Sequence, residues 1–380
     1  MTDLAATTAA PPFKASTDAE PTKVLSPRQL AWRKFKRNRL AMFGVITLML
    51  MYLMALFAGF LAPYGDRETH AEFARVGPHG LQFFDDAGTF HPVPFVYGLS
   101  REMDRATFRM AITPNVEERY HLRFFVEGAP YSILGLFRSN IHLFGVEEGG
   151  KIFLLGTDTR GRDLFSRILY GAQVSLTVGL VGVGLSLIIG ISIGLITGLY
   201  GGWFDEIVQR IIEMTMAFPQ IPLWLALAAL VPPTWSSIQV YFAISIVLSI
   251  LSWGALARQV RAMVLSLKTS DFVRAARYSN ASTARIMFRH LMPSTISHIL
   301  VVATLTVPAM ILGETALSFL GLGIKPPLTS WGLLLNEAQS VRVILELPWL
   351  LFPAVFVMLT IISFNFLGDG LRDAADPFSR

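Results

Sequence analysis

Residues 40–61 run for 22 positions without a charge. As a helix they reach about 33 Å at 1.5 Å per residue, enough to cross the hydrocarbon layer of a bilayer. Five further apolar stretches follow, at residues 174–199, 214–231, 238–257, 296–317 and 349–367. Only 16% of the chain is charged, against about 25% in soluble domains. The pattern predicts an all-α polytopic membrane protein with six transmembrane helices. Residues 186, 190, 194 and 198 are Ser, Gly, Gly and Gly, a four-residue repeat that favours close helix contact. Pro219 and Pro222 fall inside the expected third span, and Pro308 is expected to break the fifth.

Charge placement orients the spans. Ser26-Pro27-Arg28-Gln29 is a helix start, and Arg28, Arg33, Lys34, Lys36, Arg37 and Arg39 precede the first span. Residues 26–39 therefore read as an amphipathic helix on the cytoplasmic face, after a disordered tail over 1–25. With residues 40–62 as the first span and an even span count, both termini are expected in the cytoplasm.

The polar segment 63–155 is expected to be an external, mainly β insertion. Short β-forming runs at 95–99, 122–126, 131–137, 141–146 and 151–155 are separated by Gly, Pro and charged turns. His70, His79, His91, His121 and His142 follow no ligand spacing and read as surface or hydrogen-bonded side chains. Cysteine is absent, which excludes disulfides and thiol chemistry. No phosphate loop, metalloprotease pair, serine elbow or nucleic-acid motif is present, so the chain reads as neither an enzyme nor a nucleic-acid binder.

The longest basic run of the second half lies between the fourth and fifth apolar stretches. Seven Arg or Lys, from Arg258 to Arg289, accompany one acidic residue, Asp271. Ser270 is placed to cap a helix over 271–279, Asn280 to take a left-handed turn, and Ser282 to cap a second helix that Pro293 stops. Two short helices pinned between spans form a rigid knob suited to docking.

This run, with Asp271, Arg274, Ala275, Ala276, Arg277, Asn280, Ala281, Ser282, Arg285, Arg289 and Pro293, resembles the cytoplasmic coupling loop of ABC-importer permeases. The likeness is to the oligopeptide, dipeptide and nickel branch. Asn280 stands where that family usually has Gly, and Asn tolerates positive φ. A second signature, Gly156-Thr157-Asp158-Thr159-Arg160-Gly161-Arg162-Asp163, continuing to Ser166 and Arg167, is similar to the external motif of the same branch. Gln173 occupies a position where the family commonly has Arg. The external motif reads either as an interfacial anchor or as a substrate contact, and its Arg160, Arg162 and Arg167 depart locally from the positive-inside pattern. A third likeness surrounds Glu314 in Gly313-Glu314-Thr315-Ala316-Leu317, which reads either as part of a gate or translocation path or as a polar contact between helices.

The resemblance implies a permease half within a larger importer. It expects a second homologous permease, two ATP-binding subunits carrying ATP and Mg, and an external solute-binding protein, with no cofactor on this chain. Residues 156–377 would form a five-helix core that includes the coupling loop 270–293, in a bacterial cytoplasmic membrane. Oligopeptides, dipeptides or a related solute would be the cargo. A structural membrane-complex subunit and an ion-driven secondary transporter are the competing readings. The first needs no translocation route, and the second needs no ATPase.

Overall fold

The computed structural model describes residues 26–104, 109–133 and 135–375. The expected tail over 1–25 and the end of the expected core at 376–377 lie outside the described residues. Helix α1 spans Pro27–Arg37 and opens with a capping box: Gln29 N–H donates to Ser26 Oγ at 3.4 Å, and Ser26 N–H to Gln29 Oε1 at 3.0 Å. Asn38 then caps α2, Arg39–Leu56, by accepting from Ala41 N at 3.1 Å. A short helix α3, Ala58–Leu61, completes the first apolar segment. One face of α2 buries Ala41, Gly44, Leu48, Met51 and Ala55, while Leu40, Phe43, Leu50 and Leu53 on the other face are exposed.

A four-stranded antiparallel sheet follows, in the order β1–β2–β3–β4. Its strands are Gln82–Phe84, Phe90–Asp104, Arg109–Ile133 and Phe137–Val146. Register slips between Tyr97 and Gly98 and between Glu127 and Tyr131 curl the sheet. Two strand expectations fail. Residues 131–137 are not one strand but the end of a hairpin, where Gly135 at φ +71 reverses the chain and Tyr131 pairs with Ser139. Residues 151–155 form no strand: Ile152 and Phe153 instead plug a small core with Tyr64, Val76 and Val96, and Ile152 N–H donates to Tyr64 Oη at 2.9 Å. Their apolar pattern records packing beneath the sheet rather than pairing. His142, fully buried, ties the sheet to α3 through the carbonyls of Ala62 at 2.5 Å and Ala129 at 3.0 Å.

The remaining helices build the apolar core. They are α4 Leu164–Tyr200, α5 Gly202–Ala217, α6 Gln220–Ala228, α7 Ser237–Leu267, α8 Asp271–Tyr278, α9 Thr283–Arg285, α10 Met292–Phe319, α11 Trp331–Asn336, α12 Val341–Glu346 and α13 Phe352–Ala375. The fold is that of a polytopic α-helical membrane protein carrying a small curled β insertion. Among the described residues, five helices are long and apolar enough to cross a membrane, and a sixth span is reached by counting α5 and α6 together. That pair bends by 93° at Phe218-Pro219, so the stretch expected as the third span, 214–231, is divided between two helices rather than continuous.

The small-residue repeat on α4 packs against α7. A Cβ on Gly194 would stand 2.6 Å from Ala257 O and 2.7 Å from Val260 Cβ. Ser186 Oγ donates to Ser249 O at 3.1 Å in the same seam. Two other proline expectations are corrected. Pro308 lies inside α10 without breaking it, because flanking Val307 and Ile311 pack on Gly179 of α4 and carry the helix past the missing N–H. Pro293 stops nothing. A π turn over Ile286–Leu291 widens the helix immediately before it, Met292 N–H reaches back to Met287 O, and the helical path continues from Thr283 to Phe319.

Candidate functional sites: a charge cluster, a helix-lined cavity and a basic knob

At the β-insertion end of the helix bundle, four charged side chains from two distant segments converge. Asp158 Oδ1 accepts the backbone N–H groups of Arg160 and Arg162 at 2.7 and 3.0 Å, which folds the 158–162 turn. Its Oδ2 accepts from Arg162 Nε and Arg167 Nη1, both at 2.7 Å. Glu337, just beyond α11, takes Arg162 Nη2 at 2.8 Å and both terminal nitrogens of Arg167 at 2.9 Å. Two cations face two anions, so the cluster is neutral. Arg167 is only 1% exposed and Asp158 is fully buried, and such charges persist inside a protein only when paired with opposite charges; Arg167 Nε is left without a partner among the described residues. Gly161 belongs to the same turn at φ +79, against the backbone of His70 with no room for a Cβ.

Asp163 has a different role. Its Oδ2 caps α4, accepting from Ser166 N at 2.7 Å and Ser166 Oγ at 2.6 Å. Burial pushes its carboxyl up to about 7, against the opposing pull of the Ser166 hydrogen bonds. Gln173, at the position where Arg is common in the resembling family, donates to Ala55 O at 2.9 Å and joins α4 to α2.

Glu314 is fully buried between α10 and α4. Ser318 Oγ donates to its Oε1 at 2.7 Å and Ser175 Oγ to its Oε2 at 3.0 Å. Ser175 Oγ in turn accepts from Trp331 N at 3.0 Å, and Ser318 Oγ from Ile324 N at 2.9 Å. The carboxylate thus ties α4, α10 and the turn into α11.

A separate cavity of about 350 Å³ opens between α4, α5, α6, α7 and α10. Its polar lining is uncharged: Ser186, Thr215, Gln220, Ser252, Gln259 and Thr306, set among aliphatic side chains, Met216 and Phe218. Glu314 is not among the lining residues.

The basic knob occupies the opposite end of the bundle, where Lys268 Nζ reaches Gly198 O at 3.3 Å. Ser270 stands at the N-cap position of α8, but its hydroxyl turns back to Leu267 O at 2.6 Å and does not cap the helix, correcting the sequence expectation. Asn280 takes φ +55 and Ser282 accepts from Arg285 N at 3.3 Å. Val273 and Ala276 bury against Val264, Ile286, Met287 and Leu291, with Ala281 packed at the edge. The knob is thereby bolted to α7 and α10. Its outer side exposes Asp271, Arg274, Ala275, Arg277, Asn280, Ser282, Arg285 and Arg289. Three aromatics lie among them: Phe272 at 42%, Tyr278 at 90% and Phe288 at 60% exposure. Among the described residues no carboxylate pairs with Arg274, Arg277, Arg285 or Arg289.

Two functional pairs escape sequence reasoning. Glu337 belongs to no motif and lies 170 positions from Arg167. Asp205 on α5 holds Arg261 on α7 through two hydrogen bonds of 2.6 Å each. Asp205 is buried although its neighbour Glu206 is exposed, and nothing in the sequence distinguishes the two.

Apolar helices surround an uncharged cavity, and a rigid basic knob closes one end of the bundle, the layout of a helical membrane protein with a passage between its helices. Comparison with known proteins is specific. Residues 190–380 match the family described as binding-protein-dependent transport system inner membrane component, and residues 26–78 match the N-terminal TM domain of oligopeptide transport permease C. A dipeptide transport system permease protein of Bacillus subtilis (strain 168) is 34% identical over 355 residues, covering 93% of this chain and 86% of its own. A glutathione transport system permease protein of Escherichia coli O6:K15:H31 is 34% identical over 360 residues, covering 94% and 93%. A putative peptide permease protein of Brucella suis biovar 1 is 42% identical over 224 residues, or 58% and 72%. The chain belongs to the family of binding-protein-dependent transport system inner membrane components, as a permease subunit of an ABC importer.

Proposed function

We propose that this chain forms half of the translocation path of an ATP-driven importer for oligopeptides, dipeptides or a related small peptide. A second, homologous permease supplies the other half, two peripheral subunits bind ATP and Mg, and an external protein delivers the solute. In this reading the α5–α6 pair counts as the third of six spans, both termini and the 270–293 knob lie in the cytoplasm of a bacterial inner membrane, and the 63–155 insertion lies outside.

The observation that carries this reading is the knob. Its inner face is fixed to α7 and α10 by Val273, Ala276, Ile286 and Leu291, and its outer face presents four arginines and three aromatics. A subunit gripping that face moves α7 and α10 as levers, because packed elements transmit rigid-body motion. Both helices line the cavity. The cavity's neutral polar wall suits a cargo rich in amides, while the Asp158–Arg162–Arg167–Glu337 cluster anchors the opposite end. Glu314 serves there as a polar tie that a gating movement of α10 would have to stretch.

Co-expression with the ATP-binding subunits and the solute-binding protein tests the proposal. Co-purification and peptide-stimulated ATP hydrolysis in proteoliposomes are expected. Uptake that continues on an ion gradient without ATP would contradict it.

A further inference from the structure

The β3–β4 hairpin ends in an unusual way. Hairpin tips in water are built from Gly, Asn, Asp and Ser, yet the described residues at this one are Ile133, Gly135, Leu136 and Phe137. Leu136 is 75% and Phe137 71% exposed, and Phe124 and Phe125 higher on the hairpin are exposed to a similar degree. Phe125 holds φ +55, a conformation disfavoured for an aromatic residue, and its ring rests against Phe60 of α3 at 6.4 Å. Exposed apolar side chains clustered at a turn outside the helix bundle call for a partner.

The hairpin lies along the first span. Between them is a groove of about 740 Å³, with Leu50, Leu53, Phe57 and Phe60 on the helical wall and Tyr131 and Ile133 on the strand wall. From Phe60 to Leu50 that wall extends about 15 Å along the helix, well below the end of the span. The groove is continuous with the exposed face of α2, where Leu40, Phe43 and Ile46 also lie open. On a membrane-spanning helix that face is covered by lipid. Arg138 follows the apolar tip directly, placed to reach the headgroups while the tip enters the acyl region.

We infer that the β3–β4 hairpin is a lipid anchor: its tip enters the bilayer beside the first span, and the groove between them holds a phospholipid acyl chain. The occupant is a lipid because every groove-lining side chain named is apolar or aromatic and the groove opens onto the lipid-covered flank of α2. The hairpin then holds the whole sheet at a fixed height over the membrane. That the tip enters the outer leaflet rests on the orientation proposed above; the lipid contact itself does not.

Spin labelling of the full chain in phospholipid nanodiscs tests this, helped by the absence of native cysteine. Leu136→Cys and Phe137→Cys carry the nitroxide at exposed sites where the fold tolerates it, and Val116→Cys, in the stretch of β3 beside β2, is the aqueous reference. Labels at 136 and 137 are expected to show a severalfold higher ratio of oxygen to nickel-chelate accessibility than the label at 116. Phospholipids brominated along the acyl chain are expected to quench a bimane at 136 and not at 116. Equal nickel access at 136 and 116 would overturn the inference. Exclusion of both reagents from 136, with a strongly immobilised spectrum, would also overturn it and assign the face to a protein partner. Labelling an Arg277→Cys variant in intact cells reads the orientation separately, so failure of one reading is distinguishable from failure of the other.

Discussion

Arg167 and Glu337 stand 170 positions apart in the chain and meet through two parallel hydrogen bonds of 2.9 Å, with the guanidinium only 1% exposed. The pair joins the first turn of α4 to the segment after α11, and Asp158 and Arg162 complete its charge balance. Arg167→Met should cost roughly 3–5 kcal/mol, since it leaves two carboxylates sharing one cation. The double variant Arg167→Met/Glu337→Leu restores neutrality and should lose clearly less than the sum of the single variants. Thermal unfolding of the purified chain measures this, and strictly additive losses would count against a coupled cluster.

The pH dependence of stability should report on Asp163. Its carboxyl is raised from an ordinary 3.8 to about 7. Between those values the folded chain keeps a proton that the unfolded chain has lost. The contribution to stability is therefore complete below the lower value and disappears as pH rises through the upper one. The melting temperature should fall between about pH 4 and about pH 7. Asp163→Asn keeps an acceptor for Ser166 N and has no proton to lose, so its curve should be flatter. Parallel curves would remove Asp163 as the source.

At the α4–α7 seam, Gly194→Leu is expected to destabilise the chain by ~1–3 kcal/mol or more, as overpacking does. The new side chain would collide with the Ala257 carbonyl and Val260. Gly184, with open space where a Cβ would stand, provides the control: Gly184→Ala should be nearly silent. Detergent-solubilised melting temperatures compare the two directly.

Features set by short-range pattern were legible in the sequence. The Ser26–Gln29 capping box, the small-residue stripe on α4 and the positive φ of Asn280 each depend on residues a few positions apart, and each is present. The Arg167–Glu337 and Asp205–Arg261 pairs were not legible, because nothing local marks a partner that tertiary folding brings from far along the chain. Prolines misled in both directions. Pro219 divides the third apolar stretch with a 93° bend, whereas packing carried α10 through Pro308, and a π turn made room for Pro293. Residues 152 and 153 looked like a strand because burial beneath a sheet and pairing within one demand similar side chains.

The knob separates two neighbouring alanines. Ala276 is buried against α7 and α10, whereas Ala275 is exposed beside the arginines. Ala276→Arg should unseat α8 and reduce the yield of folded chain. Ala275→Arg should leave yield and melting temperature unchanged while weakening co-purification with the ATP-binding subunits. Asn280→Gly should be mild, because Gly adopts the left-handed turn freely, and Asn280→Val should be worse. Equal loss of folded protein in Ala275→Arg and Ala276→Arg would contradict the burial difference.

The most direct test of the permease reading is photocrosslinking from position 278. Tyr278 is 90% exposed at the tip of the knob, so replacing it with p-benzoylphenylalanine leaves the fold intact and places the reactive group on the proposed docking face. Irradiation of the assembled importer should link this chain to an ATP-binding subunit, with a yield that changes when nucleotide is bound or hydrolysed. Crosslinking confined to lipid or to the external solute-binding protein would place the knob elsewhere and contradict its role as the ATPase contact.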